Sequence, residues 1–266
     1  MYLEYWGLKR FPFENVPDPD FMYYSPEHLE ALSRLLYAVK GNKGIVLITG
    51  EIGSGKTTLS RVLIQHLPKE KYDIGLMVNT TLAPLDFLRE VLRSLGLNPG
   101  DDLSKSSLLN LFHEKMLENL KQDRGNLLII DEAQLISRET FEELRLLLNF
   151  QLNNRFMLTV ILLGQPELRS IVKDIEQLDQ RVAMRYHLNA FNFYETLKYM
   201  GVRFAKAGLS GNIITKQAAK CVYIYSKGIP RLINSICDTS LMVGFISKAK
   251  IVGSKIVREA VKDIAG

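Results

Sequence analysis

Between residues 41 and 189 two kinds of hydrophobic pattern take turns along the chain. Short, continuous apolar runs read as strands buried on both faces: IVLITG (45–50), IGLMVN (74–79), NLLIID (126–131) and RFMLTVILLG (155–164). The segments between them carry apolar residues at every third or fourth position, as amphipathic helices do. These are KTTLSRVLIQHL (56–67, stopped by Pro68), PLDFLREVLRSLG, LLNLFHEKMLENL and ETFEELRLLLNF. Such alternation predicts an α/β fold, a parallel sheet sandwiched between helices. From about Asn189 the strand pattern ends, and FNFYETLKYMGVRFAKAG, TKQAAKCVYIYSKG, PRLINSICDTSLMVGFISKA and SKIVREAVKDIA read as successive helices. The expected organisation is a sheet-containing core over 44–189 and a C-terminal all-helical domain over 190–266.

The first 43 residues are expected to belong with the core. Pro12, Pro17 and Pro19, interleaved with Tyr5, Trp6, Phe11, Phe13, Phe21, Tyr23 and Tyr24, predict an extended segment held by aromatic packing rather than by helix. Ser25 and Pro26 then read as an N-cap and first helical position. Leu29, Leu32, Leu35, Leu36 and Val39 continue at helical spacing.

The junction between the first apolar run and its helix carries the chemistry. Gly50, Glu51, Ile52, Gly53, Ser54, Gly55, Lys56 and Thr57 match G-x-x-x-x-G-K-[ST] in full, and Thr58 follows. Glycines let successive backbone N–H groups wrap a phosphate, and the helix aims its positive end at the same anion. Lys56 is expected to reach the β and γ phosphates of ATP, and Thr57 to ligate Mg²⁺. NLLIIDE then puts Asp131 and Glu132 at the carboxyl end of a buried strand. Asp131 suits the metal's water shell, and Glu132 suits polarising the attacking water.

Composition narrows the remaining classes. The longest apolar stretches fall far short of the roughly 20 residues a membrane helix needs, and MYLEYWGLKRFPF has no signal-peptide core, so a cytoplasmic protein without direct membrane insertion is expected. Cys221 and Cys237 lie in helical segments without a second pair, which argues for space-filling thiols over a disulfide or zinc site. His28, His66, His113 and His187 lack metal-ligand spacing. The net charge of +5 permits an acidic partner such as duplex DNA without requiring one, because the lysines are scattered.

A phosphate loop, an apolar run ending in Asp-Glu and a helical C-terminal region together resemble an AAA+ ATPase. YWGLKRFPF, VPDPDFMYYSPEHLEAL, ITGEIGSGKTTL, LLIIDEAQ, LLGQPEL, LDQRVAMRYHL and KGIPRLIN resemble the ATPase domain of the general secretion pathway protein A (ExeA-like) family. The resemblance implies that residues 190–266 form a lid and that Gln165 senses the γ-phosphate or the water. It makes Asn79 a polar switch for Glu132, and Arg231 of the GIPR motif a lid arginine facing the nucleotide. Arg181 is implied as an arginine finger acting in trans, with Arg185 as the alternative. Tyr23, Tyr24 and Pro26 fall where the family's N-terminal segment covers adenine; His28 also matches, with no chemistry assigned. The implied activity is ATP hydrolysis by a homo-oligomeric ring or filament that remodels or regulates a partner. That partner belongs to a secretion or pilus system, or alternatively is a transposase, with duplex DNA bound.

Overall fold

The computed structural model describes residues 2–152 and 155–265. In chain order it contains α1 (Tyr2–Trp6), α2 (Pro26–Lys40), β1 (Ile45–Gly50), α3 (Lys56–His66), β2 (Tyr72–Met77), α4 (Pro84–Ser94), α5 (Lys105–Lys121) and β3 (Gly125–Ile130). Then follow α6 (Arg138–Leu147), β4 (Gln151–Leu152), β5 (Arg155–Phe156), β6 (Thr159–Gly164), α7 (Leu168–Lys173), α8 (Glu176–Asp179) and β7 (Val182–Leu188). The last helices are α9 (Phe193–Lys206), α10 (Lys216–Ser226), α11 (Pro230–Ile246) and α12 (Ser254–Ala265). The chain divides into two compact units, one of residues 26–50 and 59–188, the other of residues up to 25, 51–58 and 189 onward.

The first unit is an α/β sandwich. Its sheet has the order β2-β3-β6-β1-β7, and every pairing is parallel. All residues of β1 and β6 are buried. Successive side chains of a strand point to opposite faces, so both faces of the sheet are covered. On one face Ile45, Leu47, Leu128, Ile130, Val160 and Leu162 join a core with Phe87, Phe112, Phe141 and Leu144 from α4, α5 and α6.

Two strand assignments differ from the sequence reading. The run expected as one strand over 155–164 breaks at Met157–Leu158: β4 and β5 form a separate antiparallel pair, and only β6 enters the sheet. The edge strand β7 was not anticipated. Its burial alternates, because an outer strand covers only part of its surface, and Arg185 and His187 lie on its exposed positions.

The second unit has its own core. Tyr2, Trp6, Leu8 and Phe13 pack with Tyr199, Phe204, Val222, Ile233 and Leu241 of α9, α10 and α11. The first 25 residues therefore cluster with the C-terminal helices, where the sequence reading had placed 1–43 with the sheet. The expected extended aromatic segment also begins with a helix, α1. Tertiary contact stabilises that single turn: Trp6 Nε1–H donates to the Leu241 carbonyl at 2.9 Å, and Tyr2 hydroxyl bonds the Asp238 carboxylate. Gly244 makes room for the indole, since a Cβ there would lie 2.8 Å from Trp6 Cζ2.

Arg203 fixes the rest of the segment. It is buried on α9 and donates to the carbonyls of Pro12 and Glu14, with its Cζ 4.9 Å from the centre of the Phe21 ring. Of the two thiols, Cys237 is buried and Cys221 half-buried; neither is in a disulfide.

Candidate functional site

In the helical unit, residues 51–58 form a tight loop that opens α3. Gly53 and Gly55 have φ of +81° and +99°, the left-handed region that a side chain resists. Ser54 N–H donates to the Glu51 carbonyl at 3.1 Å. Lys56 is buried, and its Nζ donates back across the loop to the same carbonyl at 3.0 Å. Gly53 is required for a second reason. An added Cβ would lie 2.3 Å from Arg231 Cβ, and Arg231 N–H donates to the Gly53 carbonyl at 3.2 Å. The start of α11 is thus seated directly on the loop. Pro230 occupies the first turn of α11, and the preceding Gly228 has φ of +77°. A Cβ on Gly228 would fall 1.8 Å from the Phe191 carbonyl oxygen, so the KGIPR turn depends on glycine. The Arg231 side chain is exposed, and its guanidinium has no hydrogen-bond or carboxylate partner among the described residues.

In the sheet unit, parallel pairing brings the carboxyl ends of β3, β6 and β1 to one edge, in that order. Gly50 ends β1, Asp131 and Glu132 follow β3, and Gln165 follows β6. Asp131 is buried, and its Oδ1 accepts from Glu132 N–H at 2.9 Å. Glu132 itself adopts φ 51°, ψ 40°. A left-handed non-glycine residue costs about 1–2 kcal/mol. Its surroundings hold it there: the Glu132 carbonyl accepts from Leu135 N–H at 3.0 Å and from Thr80 Oγ1–H at 3.2 Å. One carboxylate oxygen, Oε2, accepts from Gln134 Nε2–H at 2.7 Å.

The polar residue after β2 that reaches Glu132 is therefore Thr80, which is buried. Asn79, expected in that role, is exposed and makes no side-chain hydrogen bond among the described residues. The expected strand over 74–79 ends at Met77, which shifts the register of its exit. Gln134 and Thr80 were both passed over in the sequence. Gln134 stands inside the DEAQ stretch, but no sequence pattern says which way its amide faces.

Arg181 lies at the other end of the sheet. Its carbonyl accepts from Ile45 N–H at 3.1 Å, at the amino end of β1. The five steps from Ile45 to Gly50 span about 17 Å at ~3.3 Å per residue. Its guanidinium donates to the Leu148 carbonyl at 2.6 Å and to Asn149 Oδ1. Burial and the neighbouring Arg145 lower its proton affinity. Arg185 is paired in register with Leu47 and bonds the Asp179 carboxylate at 2.5 Å. Of the residues expected near adenine, Tyr23 packs edge-on against Phe191 and Tyr199, while Tyr24 is exposed.

The family model for the AAA domain matches residues 39–172, half of the chain. The chain belongs to the AAA-domain family. This AAA protein is 37% identical over 247 residues to General secretion pathway protein A of Aeromonas hydrophila, with 92% of the chain and 45% of that relative aligned. It thus spans about half the length of the curated relative it matches. Among solved structures, Aeropyrum pernix ORC2 in its ADPNP–ADP complexes superposes with a TM-score of 0.65 at 18% identity, over 93% of this chain and 72% of that one. Drosophila ORC bound to DNA gives 0.68 at 14% identity, over 90% and 60%. At those identities the likeness is one of fold.

An AAA domain implies nucleotide binding, and the residues fit it. The loop has no room for a Cβ at Gly53, and it presents a lysine, hydroxyls and backbone N–H groups at a helix start. Among the described residues no three His, Cys, Asp or Glu side chains cluster as a metal cage. The Thr57 hydroxyl and the Asp131 carboxylate are oxygen donors of the kind Mg²⁺ takes, with water and phosphate oxygens completing its shell. Among the described residues, no helix is long and apolar enough to cross a membrane.

Proposed function

We propose that this AAA protein is a Mg²⁺-dependent ATPase that assembles into a homo-oligomeric ring or filament and remodels or regulates a protein partner. The relative's name speaks of secretion; the setting proposed for this chain is secretion or pilus assembly, with the chain acting as an accessory ATPase in the cytoplasm. The observation that carries the hydrolytic reading is Glu132: a left-handed residue beside buried Asp131, bonded through N–H, carbonyl and one carboxylate oxygen. A backbone held in a costly conformation at the exit of a central strand fits a residue placed for chemistry.

The loop of residues 50–58 takes the phosphates, with Lys56 as a point charge on the β and γ groups. Thr57 and Asp131 are the residues that would hold Mg²⁺, which would supply charge neutralisation at the phosphates. Glu132 takes a proton from the attacking water, and Gln165 orients that water or the γ-phosphate. Arg231, at the start of α11 and with its guanidinium unpartnered among the described residues, reads the nucleotide state into residues 190–266, which act as the lid. Tyr24, with Tyr23 and Pro26 beside it, borders the adenine. Arg181 immediately precedes β7, whose far end lies at the same sheet edge as the carboxylates, so it serves a neighbouring subunit better than its own. Its release from Leu148 and Asn149 would accompany assembly.

A second reading is an ATP-dependent, DNA-binding transposition regulator with a transposase as partner. It is favoured by a patch on the helical unit where Tyr194, 71% exposed, neighbours Lys198, Lys216 and Lys220. An exposed ring amid lysines suits nucleic acid. The test is ATP turnover and particle mass, measured across protein concentration with and without duplex DNA. Turnover per molecule that rises with concentration supports the oligomeric ATPase, and stimulation by DNA moves the choice to the second reading. Turnover independent of concentration, at constant monomer mass, contradicts assembly.

A further inference from the structure

Resting on the reading of Glu132 as the general base, we propose that Gln134 is its positioning residue, an amide tether that links the base to the Gln165 segment. Two hydrogen bonds run in series. Gln165 N–H donates to Gln134 Oε1 at 3.2 Å, and Gln134 Nε2–H donates to Glu132 Oε2 at 2.7 Å. The polarity of this chain is fixed at both ends, because a backbone N–H can only donate and a carboxylate can only accept. A flipped amide would face N–H with N–H and oxygen with oxygen, so Gln134 has one stable orientation. The space is fixed as well: a Cβ on Gly164, the last residue of β6, would lie 2.6 Å from Gln134 Oε1.

The tether divides the work of the carboxylate. Oε2 is held by Gln134, while Oε1 has no hydrogen-bond partner among the described residues and remains open to water. In the reaction the water oxygen bonds the γ-phosphorus, the bond to the β-bridging oxygen breaks, and the water proton passes to Oε1. ADP and phosphate leave. The donor on Oε2 stops the carboxylate from rotating away. Because Gln165 supplies the other end through its backbone, a shift of the segment after β6 moves the base without any direct contact between the two side chains.

ATP hydrolysis across ATP concentration tests this, using Gln134→Ala, Gln134→Leu and Gln134→Glu in the full chain. Expected for Ala and Leu is a kcat about ten- to a hundredfold lower with a KM for ATP near wild type, the scale of losing one oriented acid–base contact. Gln134→Glu keeps an acceptor for Gln165 N–H but loses the donor to Glu132 Oε2, so it should lose kcat to a similar degree with KM again near wild type. Wild-type kcat in both Ala and Leu variants, or a loss confined to KM, would overturn the tether. Glu132→Gln is run beside them: if it hydrolyses ATP at the wild-type rate, the base reading itself has failed. If it is inactive while the Gln134 variants behave as wild type, only the tether has.

Discussion

Gly53→Ala perturbs the loop at the point where α11 rests on it. The new Cβ would sit 2.3 Å from Arg231 Cβ, whereas unstrained carbons approach to about 3.5–4.0 Å, so α11 must withdraw by about 1.5 Å or the loop must deform. Withdrawal breaks the bond from Arg231 N–H to the Gly53 carbonyl, worth about 0.5–1.5 kcal/mol net. The φ of +81° adds about 1–2 kcal/mol for a residue with a side chain. Together these come to about 1.5–3.5 kcal/mol. Placed wholly on the binding-competent loop, that weakens ATP by about 10- to 400-fold. Two assays divide the cost: urea unfolding reports what falls on the fold, and titration with labelled ATP reports what falls on the loop. Adding Arg231→Gly removes the opposing Cβ and should recover the steric part of the stability loss while leaving the backbone part. A Gly53→Ala protein with wild-type unfolding midpoint and wild-type ATP affinity would refute the reasoning.

Two further outcomes follow from named contacts. Mixed with Glu132→Gln, which keeps its finger, Arg181→Ala, which keeps its phosphate loop and base, should regain part of the turnover that each lacks alone. No recovery from proteins that co-assemble would reject a trans role for Arg181, and the same test with Arg185→Ala examines the alternative. Asp73 accepts from Lys115 and Asn119 at 2.8 Å each and from Arg124. Burial pulls its pKa up, but these three partners outweigh burial and leave it below the ordinary carboxylate value. A lowered folded pKa adds stability that is present above the unfolded value, near 3.9, and lost as pH falls through the folded one. Asp73→Asn should therefore cost about 1 kcal/mol at pH 7, solvent screening included, and the cost should shrink as pH falls below the unfolded value. A cost that persists undiminished at pH 3 would show that ionisation of Asp73 is not its source.

What the sequence made legible was what lies in one contiguous stretch. The phosphate loop, the strands buried on both faces and the Asp-Glu pair each declare themselves within a few residues, because their physics is local. The edge strand β7 was hidden because a partly exposed strand carries arginine and histidine without penalty, so its pattern resembles a loop. Helix α1 was hidden because five residues beside a proline-rich stretch have no helical preference of their own; Tyr2 and Trp6 are held by α11. The partners of Glu132 were illegible for another reason. Thr80 and Gln134 lie 52 residues before it and two after, and only the turn geometry selects Thr80 over adjacent Asn79. Arg203 shows the same limit: a basic residue in the last turn of a helix reads as solvated until the Pro12 and Glu14 carbonyls are seen around it.

The central claim is that the loop of residues 50–58 binds ATP and that Glu132 hydrolyses it, and one paired measurement tests both halves. Labelled ATP is titrated onto wild type, Lys56→Ala and Glu132→Gln, and product is then followed through a single turnover from the bound state. Wild type should bind tightly and turn over, Lys56→Ala should lose tight binding, and Glu132→Gln, whose amide cannot accept the water's proton, should bind without turnover. Undiminished ATP affinity in Lys56→Ala, or wild-type turnover in Glu132→Gln, would contradict the claim.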